Sequence, residues 1–354
     1  MLKKPPFWIA VVVALAAIGW FRMNADAEVS RDPPSRIAFV TAGDGEYWET
    51  AAAGARHAAD DLGVQLEVRM LEQTENVQEQ NEVLSTLSAD KFDGIAVSPV
   101  DADGQITVIN ALAADRPVVT FDSDSPLSSR HGFVGTSNFS AGLRAGTLVK
   151  QTLPEGGKIA VLMVNTTKSN MQDRRGGFKT RIEESPNPED EVVDERYEVV
   201  GYFTDEGDDD KCRENIRKAL ADHSDLACLV GMNARHAPLL LEVLKADGKL
   251  DKIKLVTFDT LPETLAGVRE GHIEATIAQD PFKYGDEAVR MLVSLYRGEQ
   301  EYLPVVGRGA IHVSVEAINK DNIDEYQKRV EARAKQTGTK STANRSDTKD
   351  EAKS

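Results

Sequence analysis

Short apolar runs alternate with longer amphipathic segments between Arg36 and about Glu316. The short runs are rich in β-branched residues and are predicted as strands: Ile37–Thr41, Val64–Met70, Gly94–Ser98, Val118–Phe121, Phe133–Gly135, Ile159–Met163, Glu198–Phe203, Ala227–Gly231, Lys254–Phe258 and Ala275–Ala278. The segment from Trp48 to Leu62 has apolar residues at three- and four-residue spacing and ends at Gly63, so it is predicted as a helix. This alternation predicts an α/β fold in which helices cover parallel sheets.

The two halves of the chain have a similar layout, with four or five strand-helix units each. Two similar Rossmann-like lobes are therefore expected. In such sheets ligands bind beyond the carboxyl ends of the strands. The residues that directly follow the predicted strands are thus the first place to look for a binding site, in a cleft between the lobes.

The N-terminus has the three parts of a secretory signal. Lys3 and Lys4 precede an apolar run from Phe7 to Phe21, and the small-x-small sequence Ala25-Asp26-Ala27 follows. The run is about fifteen residues long, shorter than the ~20 residues that span a bilayer core, which favours cleavage after Ala27. The sequence predicts export to the periplasm, and an uncleaved N-terminal anchor is the alternative.

Composition and charge narrow the possible partners. The chain has 354 residues, enough for two domains, and its 42 Lys and Arg against 58 Asp and Glu give a net charge of −16, which disfavours nucleic acid. Cys212 and Cys228 are the two cysteines, and we expect them at opposite ends of a helix-strand unit as unpaired core residues. The polar segment from Gln327 onward is predicted to be a disordered tail.

Two motifs at strand ends suggest chemistry. The sequence Gly43-Asp44-Gly45-Glu46-Tyr47-Trp48 begins like a dinucleotide fingerprint, but Trp48 stands where a small residue is needed, so no nucleotide cofactor is expected. Tyr47 and Trp48 are either one core and one exposed aromatic, or a wall on which a sugar ring stacks. Asp122 and Asp259 follow the similar runs Val-Val-Thr-Phe and Leu-Val-Thr-Phe, and each is either a helix cap or a ligand acceptor.

Three further segments, Asn170–Phe178, Gly231–Ala234 and Ala275–Pro281, complete a pattern with Asp122 and Asp259. Together they resemble the periplasmic sugar-binding proteins of ABC transporters, the type I or ribose-binding-like family, over roughly Arg36 to Gly298. The resemblance implies ring stacking from the first lobe, hydroxyl acceptors and donors from both lobes, and a glutamine at the hinge. The implied ligand-binding residues are Tyr47, Trp48, Asp122, Arg174, Asn233, Asp259 and Gln279. Arg174 is chosen over its neighbour Arg175 because its distance to Phe178 fits the family's spacing.

The same resemblance implies how the lobes are divided. The chain crosses between them near 136–138, near Gln279 and near Arg308. Lobe 1 then comprises residues 36–136 and 280–308, lobe 2 comprises 137–279 and 309–318, and the tail comprises 327–354. Two departures leave the sugar open, because Ser123 stands where relatives often have arginine and an acidic run surrounds Gly207 where they often have an aromatic residue.

The predicted function is capture of a neutral sugar or polyol by a monomer that delivers it to an ABC permease, with no cofactor and no metal. A neutral ligand is expected because Asp122 and Asp259 outnumber the one assigned cation, Arg174. A ligand-sensing subunit for a membrane sensor is the alternative. An α/β enzyme acting on a sugar is disfavoured, since the chain has no Gly-x-Ser-x-Gly, P-loop or His-Glu-x-x-His motif.

Overall fold

Two six-stranded sheets, each covered by helices on both faces, form the body of the protein. The computed structural model describes residues 34–185, 193–299 and 309–337. The strands are β1 (Arg36–Val40), β2 (Gln65–Arg69), β3 (Gly94–Val97), β4 (Val118–Phe121), β5 (Gly132–Gly135), β6 (Gly157–Met163), β7 (Tyr197–Thr204), β8 (Leu226–Gly231), β9 (Lys254–Phe258), β10 (Ala275–Ala278), β11 (Ala310–His312) and β12 (Glu316–Ile318). The helices are α1 (Glu46–Leu62), α2 (Val77–Ser85), α3 (Ile106–Ala113), α4 (Asn138–Thr152), α5 (Ser169–Glu183), α6 (Asp209–Asp222), α7 (His236–Ala246), α8 (Pro262–Glu270), α9 (Pro281–Arg297) and α10 (Ile323–Thr337). The predicted α/β fold is confirmed.

Lobe 1 is built on a parallel sheet with strand order β11-β5-β4-β3-β1-β2. Successive side chains of a strand point to opposite faces, so the sheet has two apolar surfaces to bury. Helices α1 and α9 cover one face, and α2 and α3 cover the other. Helix α9 therefore belongs to lobe 1 although it directly follows β10 of lobe 2 in the chain.

Lobe 2 repeats this plan with strand order β12-β10-β9-β8-β6-β7, in which only β12 is antiparallel to its neighbour. Helices α4 and α5 cover one face, and α6, α7 and α8 cover the other. Cys212 and Cys228 are both buried, the first in the α6 side of this core and the second in the α4 side. Their predicted placement, one at the start of a helix and one in the following strand, is confirmed.

Helices α4 and α5 approach each other very closely at glycines. A Cβ atom at Gly177 would lie 2.0 Å from the carbonyl oxygen of Phe139, and one at Gly142 would lie 2.1 Å from that of Arg174. Neither position has room for a side chain, so glycine is required at both. The close packing holds α5, and with it Arg174, at a fixed distance from the start of α4.

The chain crosses between the lobes at three neighbouring places. Thr136 and Ser137 join β5 to α4, Gln279 and Asp280 join β10 to α9, and residues 313–315 join β11 to β12. The hydroxyl of Thr136 donates to the carbonyl oxygen of Val313 at 2.7 Å, which ties the first crossing to the third.

The third crossing differs from the expectation. Arg308, where the sequence placed it, is outside the described residues, but β11 pairs with β5 in the lobe 1 sheet. The change of lobe therefore comes after His312, and residues 309–312 were wrongly assigned to lobe 2. Strands β11 and β12 have three residues each, too few to show an alternating pattern in the sequence.

The predicted tail is also partly wrong. Residues 327–337 continue helix α10, and the rest of the tail lies outside the described residues. Ile323 is buried and Tyr326 packs against the lobe 2 core, which anchors a helix whose other residues are mostly polar. Arg329 adds ion pairs to Glu316 and Glu325. The proposed signal segment, residues 1–27, lies outside the described residues, and none of the helices in the described part is long and apolar enough to cross a membrane.

Candidate functional site

A cavity of about 430 Å³ lies between the lobes, where the carboxyl ends of both sheets meet. All seven residues proposed from the sequence line it: Tyr47, Trp48, Asp122, Arg174, Asn233, Asp259 and Gln279. Its volume is in the range of small-molecule sites in proteins. Two sheets thus bring together side chains as far apart in the chain as Tyr47 and Gln279, which 232 positions separate.

Asp122 and Asp259 occupy equivalent positions in the two lobes. Each directly follows the fourth strand of its lobe, and each has a left-handed backbone, with φ of 61° and 67°. The backbone N–H of Asp122 donates to Val134 O and that of Asp259 donates to Ile277 O, so both turns are held by the neighbouring strand. Left-handed φ is costly outside glycine and is concentrated at functional sites. Both aspartates combine this backbone with a place on the cavity wall, which makes them candidates for ligand contacts.

Tyr47, Ser98 and Asn170 donate to the Asp122 carboxylate. The Tyr47 hydroxyl lies 2.7 Å from Oδ1, and Ser98 Oγ and Asn170 Nδ2 lie 3.3 Å and 3.2 Å from Oδ2. Since each carboxylate oxygen accepts two bonds, Asp122 has capacity left for a ligand hydroxyl. Burial, with the Asp122 charge adding to it, raises the pKa of Tyr47 well above its ordinary value, so this residue stays a neutral donor.

The two aromatic residues differ in exposure. Trp48 is buried, packs edge-on against Phe121 with ring centroids 6.3 Å apart, and belongs to the lobe 1 core. Tyr47 is half-buried and meets Trp48 edge-on at 5.1 Å. The sequence alternatives were one core and one exposed aromatic, or a wall on which a sugar ring stacks. Trp48 belongs to the core, Tyr47 is half-buried, and both rings line the cavity.

Arg174 ties the first two crossings together. Its Nε donates to Asn138 Oδ1 at 2.8 Å, and its Nη2 donates to Gln279 Oε1 at 2.7 Å. Nη1 donates to the carbonyl oxygen of Met232 at 2.7 Å, and the guanidinium lies over the Phe258 ring. The side chain is fully buried. Arginine is suited to this role because its donors form a rigid planar fork.

The neighbouring arginine has a different environment. Arg175 lies over the ring of Tyr202, 4.5 Å from the centroid, and does not line the cavity. Of the two adjacent arginines it is Arg174 that lines the cavity. Gln279, at the second crossing, also donates from Nε2 to the Tyr284 hydroxyl at 3.1 Å.

Two buried acceptors on the cavity wall have no partner within the described chain. They are Asp259 Oδ1 and Asn170 Oδ1. Burial raises the pKa of Asp259 to about 7, with the Asp122 charge adding to the rise and Arg174 opposing it. Buried polar atoms are nearly always hydrogen-bonded in folded proteins. Ligand O–H groups would satisfy both acceptors.

Asn233 is held by a hydrogen-bonded network beneath the site. Its backbone N–H donates to His236 Nδ1 at 3.1 Å, and His236 Nε2 lies 2.9 Å from Asp205 Oδ2. Because Nδ1 accepts, the neutral ring carries its proton on Nε2 and donates it to Asp205. Cys212 completes this buried cluster, whose ligand atoms lie within 4.8 Å of one another. The set does not fit a metal ion, since the imidazole has no free lone pair to offer; it positions Asn233.

Of the other residues that line the cavity, three are buried and polar and were missed by the sequence reasoning: Glu75, Lys168 and Asn170. Lys168 Nζ lies 2.7 Å from Glu75 Oε1, and both side chains are at most 3% exposed. Glu75 has a φ of 64°, and Glu206, at the equivalent place in lobe 2, has a φ of 54°. Nothing in the local sequence reveals this pairing, although Lys168 closely precedes the Asn170–Phe178 segment.

The two departures from the resembled family lie at contacts between the lobes. Ser123 Oγ is 3.2 Å from Ser169 Oγ, which also accepts from the Asp124 backbone N–H. Gly207 has a φ of 80°, and a Cβ there would lie 2.8 Å from the carbonyl oxygen of Thr74. An aromatic side chain would not fit at Gly207 without moving the lobe 1 loop.

An α/β fold of two lobes, with a polar cleft between them and three crossings of the chain from lobe to lobe, is characteristic of type I periplasmic binding proteins. Residues 37–300 match the family model described as "Periplasmic binding protein domain", and the chain belongs to this family. The resemblance seen in the sequence is confirmed.

Individual proteins of known name are similar over most of the chain. The ribose import binding protein RbsB of Salmonella typhimurium is 25% identical over 248 residues, which cover 70% of this chain and 79% of that protein. Among solved structures, a glucose-galactose binding protein of Geobacillus stearothermophilus is 28% identical with a TM-score of 0.73, covering 81% of this chain and 98% of its own. A solute-binding protein of Burkholderia graminis in complex with D-arabinose is 25% identical with a TM-score of 0.75, covering 84% and 99%.

Proposed function

We propose that this chain is an exported solute-binding protein that captures a neutral sugar or polyol between its lobes and delivers it to an ABC permease. One observation carries the ligand class: the buried, unpartnered acceptors Asp259 Oδ1 and Asn170 Oδ1 line the same cavity as Tyr47 and Trp48. A monosaccharide offers O–H donors for the acceptors and C–H faces for the rings.

The charges along the cavity support a neutral ligand. Among the buried side chains on the cavity wall, Glu75, Asp122 and Asp259 are acidic and Lys168 and Arg174 are basic, so this buried set, when fully ionised, carries one negative charge. The more exposed lining residues, Asp44, Glu46, Asp209 and Glu263 against Arg235, add three more negative charges. A phosphate or carboxylate would add a second buried negative charge without a partner. Hydroxyl groups add none.

The family model supports a periplasmic location and the relatives support transport. Those named above are a ribose import binding protein, a glucose-galactose binding protein and a solute-binding protein of an ABC transporter. The signal sequence that ends at Ala27 agrees with the location, and its cleavage remains part of the proposal. Closure of the lobes about the three crossings would present a joined surface to the membrane partner.

A thermal-shift screen tests the proposal. The exported protein, unfolded and refolded to remove any co-purified sugar, is screened against D-ribose, D-allose, D-arabinose, D-galactose, polyols, nucleosides and amino acids. A sugar present at about 100 times its Kd should stabilise the fold by about 2.7 kcal/mol. The Asp259→Asn variant, which lacks the unpartnered carboxylate, should lose most of this shift. A response to amino acids or nucleosides without any response to sugars or polyols would contradict the proposal.

A further inference from the structure

A buried ion pair crosses the cleft beside the ligand cavity. Glu75 lies in lobe 1, between β2 and α2, and Lys168 lies in lobe 2, directly before α5. Lys168 Nζ is 2.7 Å from Glu75 Oε1, and their side chains are 3% and 2% exposed. Both line the cavity. The pair therefore exists only while the two lobes are together.

A lobe 2 asparagine holds both members of the pair. Asn165 Oδ1 accepts from the backbone N–H of Lys168 at 2.9 Å, and Asn165 Nδ2 lies 3.3 Å from Glu75 Oε2. Both carboxylate oxygens of Glu75 are thus bonded by lobe 2. The backbone of Glu75 is fixed within its own lobe, because its N–H donates to Ala42 O at 2.8 Å. The backbone of each member of the pair is therefore held by a hydrogen bond within its own lobe.

The other neighbours of the Lys168 ammonium also belong to lobe 1. Nζ lies 3.9 Å from Asp122 Oδ2 and 5.3 Å from the centre of the Trp48 ring. If the cleft opens, Lys168 leaves its carboxylate partners, and all the charges are hydrated. Removing only one of the two charges should therefore destabilise the closed state, in which the other charge stays buried, and should leave the folding of each lobe unaffected.

Buried ion pairs respond very differently to single and double substitution. Removing one partner leaves a desolvated charge alone and is strongly unfavourable, whereas replacing both partners by neutral residues is often nearly neutral. Burial already raises the pKa of Glu75, and Lys168 opposes that rise. The closed state of this protein is thus sensitive to the balance of the two charges.

We propose that Glu75 and Lys168 form a charge latch across the cleft, a pair of positioning residues whose balance sets how readily the lobes close over the ligand. The latch rests on the proposed function, since closure over a sugar is what it would govern. It acts through the lobes and requires no contact between Lys168 and the sugar.

The test is a double-substitution cycle with Lys168→Met, Glu75→Gln and both together. Affinity is measured by titration calorimetry with whichever of D-ribose, D-allose, D-arabinose and D-galactose binds the wild type most tightly. Lys168→Met should weaken binding by roughly 30-fold or more, as expected when one partner of a buried pair is lost. The double variant should recover most of the affinity. Lys179→Met is the control, because Lys179 pairs with Glu183 at the exposed surface of lobe 2.

Two further readouts separate the latch from other roles. The urea midpoint of the sugar-free protein should change little in Lys168→Met, because opening the cleft hydrates Glu75 without unfolding a lobe. The radius of gyration of the sugar-free protein, measured by small-angle X-ray scattering, should be larger in Lys168→Met than in the wild type and return in the double variant.

Specific results would overturn the latch. Unchanged sugar affinity in Lys168→Met would do so, and so would a double variant as weak as Lys168→Met, which would make Lys168 a direct sugar contact. If the wild type responds to no sugar or polyol of the thermal-shift screen, the proposed function fails separately. The scattering comparison then decides the latch alone, and equal radii in wild type and Lys168→Met would refute it.

Discussion

The affinity for sugar should depend on pH through Asp259. Its Oδ1 is buried without a partner, and burial raises its pKa to about 7. If a ligand hydroxyl donates to the ionised carboxylate, the pKa is lower in the complex than in the sugar-free protein. Binding then releases a proton below about pH 7, so affinity rises as the pH rises through that value and levels off above it.

The size of this effect follows from the strength of one hydrogen bond. A bond to a charged group contributes about 1.5 to 3 kcal/mol, which corresponds to a pKa difference of about 1 to 2 units. With a sugar-free pKa of about 7, the affinity should increase by about 7- to 20-fold between about pH 5.5 and about pH 8.

Titration calorimetry across this range, with the sugar that binds most tightly, measures the profile directly. The Asp259→Asn variant has no titrating group at this position and should bind more weakly with a flatter profile. The Glu75→Gln variant controls for the other buried carboxylate with a raised pKa. Affinity that is constant or falls as the pH rises, or an Asp259→Asn variant that keeps the wild-type profile, would refute the assignment.

Three other predictions concern packing and binding. Gly177→Ala should lower the melting temperature by several degrees, because the added Cβ would lie 2.0 Å from the Phe139 carbonyl oxygen. Gly176→Ala is the control and should not lower it, since a Cβ there meets only the Phe139 ring at 3.7 Å. Equal melting temperatures in the two variants would contradict the close helix contact. Arg174→Lys should weaken sugar binding by roughly tenfold or more in calorimetry, because one ammonium cannot serve three separate acceptors, and wild-type affinity would argue against its role at the crossings. Asp122→Ala should weaken binding by about 30- to 150-fold, since about 2 to 3 kcal/mol of acceptor bonds are lost, and unchanged affinity would exclude it from the site.

Most of the fold could be predicted because its strands are short, buried and rich in β-branched residues. Val118–Phe121, Lys254–Phe258 and Ala275–Ala278 were predicted with their observed bounds. Strands β11 and β12 were missed since three residues carry no periodic signal. Helix α10 was missed because its apolar contacts are confined to its first turns, where Ile323 and Tyr326 pack on lobe 2.

The site was predictable where a residue follows a strand and unpredictable where it depends on the other lobe. Asp122 and Asp259 follow near-identical runs, so their equivalence is visible in the sequence. Glu75 and Lys168 are 93 residues apart and sit in loops whose acidic and basic residues resemble an ordinary solvated surface. Only the approach of the two lobes makes them neighbours, and no local pattern encodes that approach.

The central claim is that one neutral sugar binds between the lobes. Titration calorimetry of the refolded protein with the most effective sugar of the screen and with the phosphate ester of the same sugar tests it most directly. We expect one site per chain for the sugar, with an affinity on the order of micromolar, equivalent to about 8 kcal/mol, and much weaker binding of the ester. Absence of binding by every sugar and polyol, or tighter binding of the phosphate ester, would contradict the account.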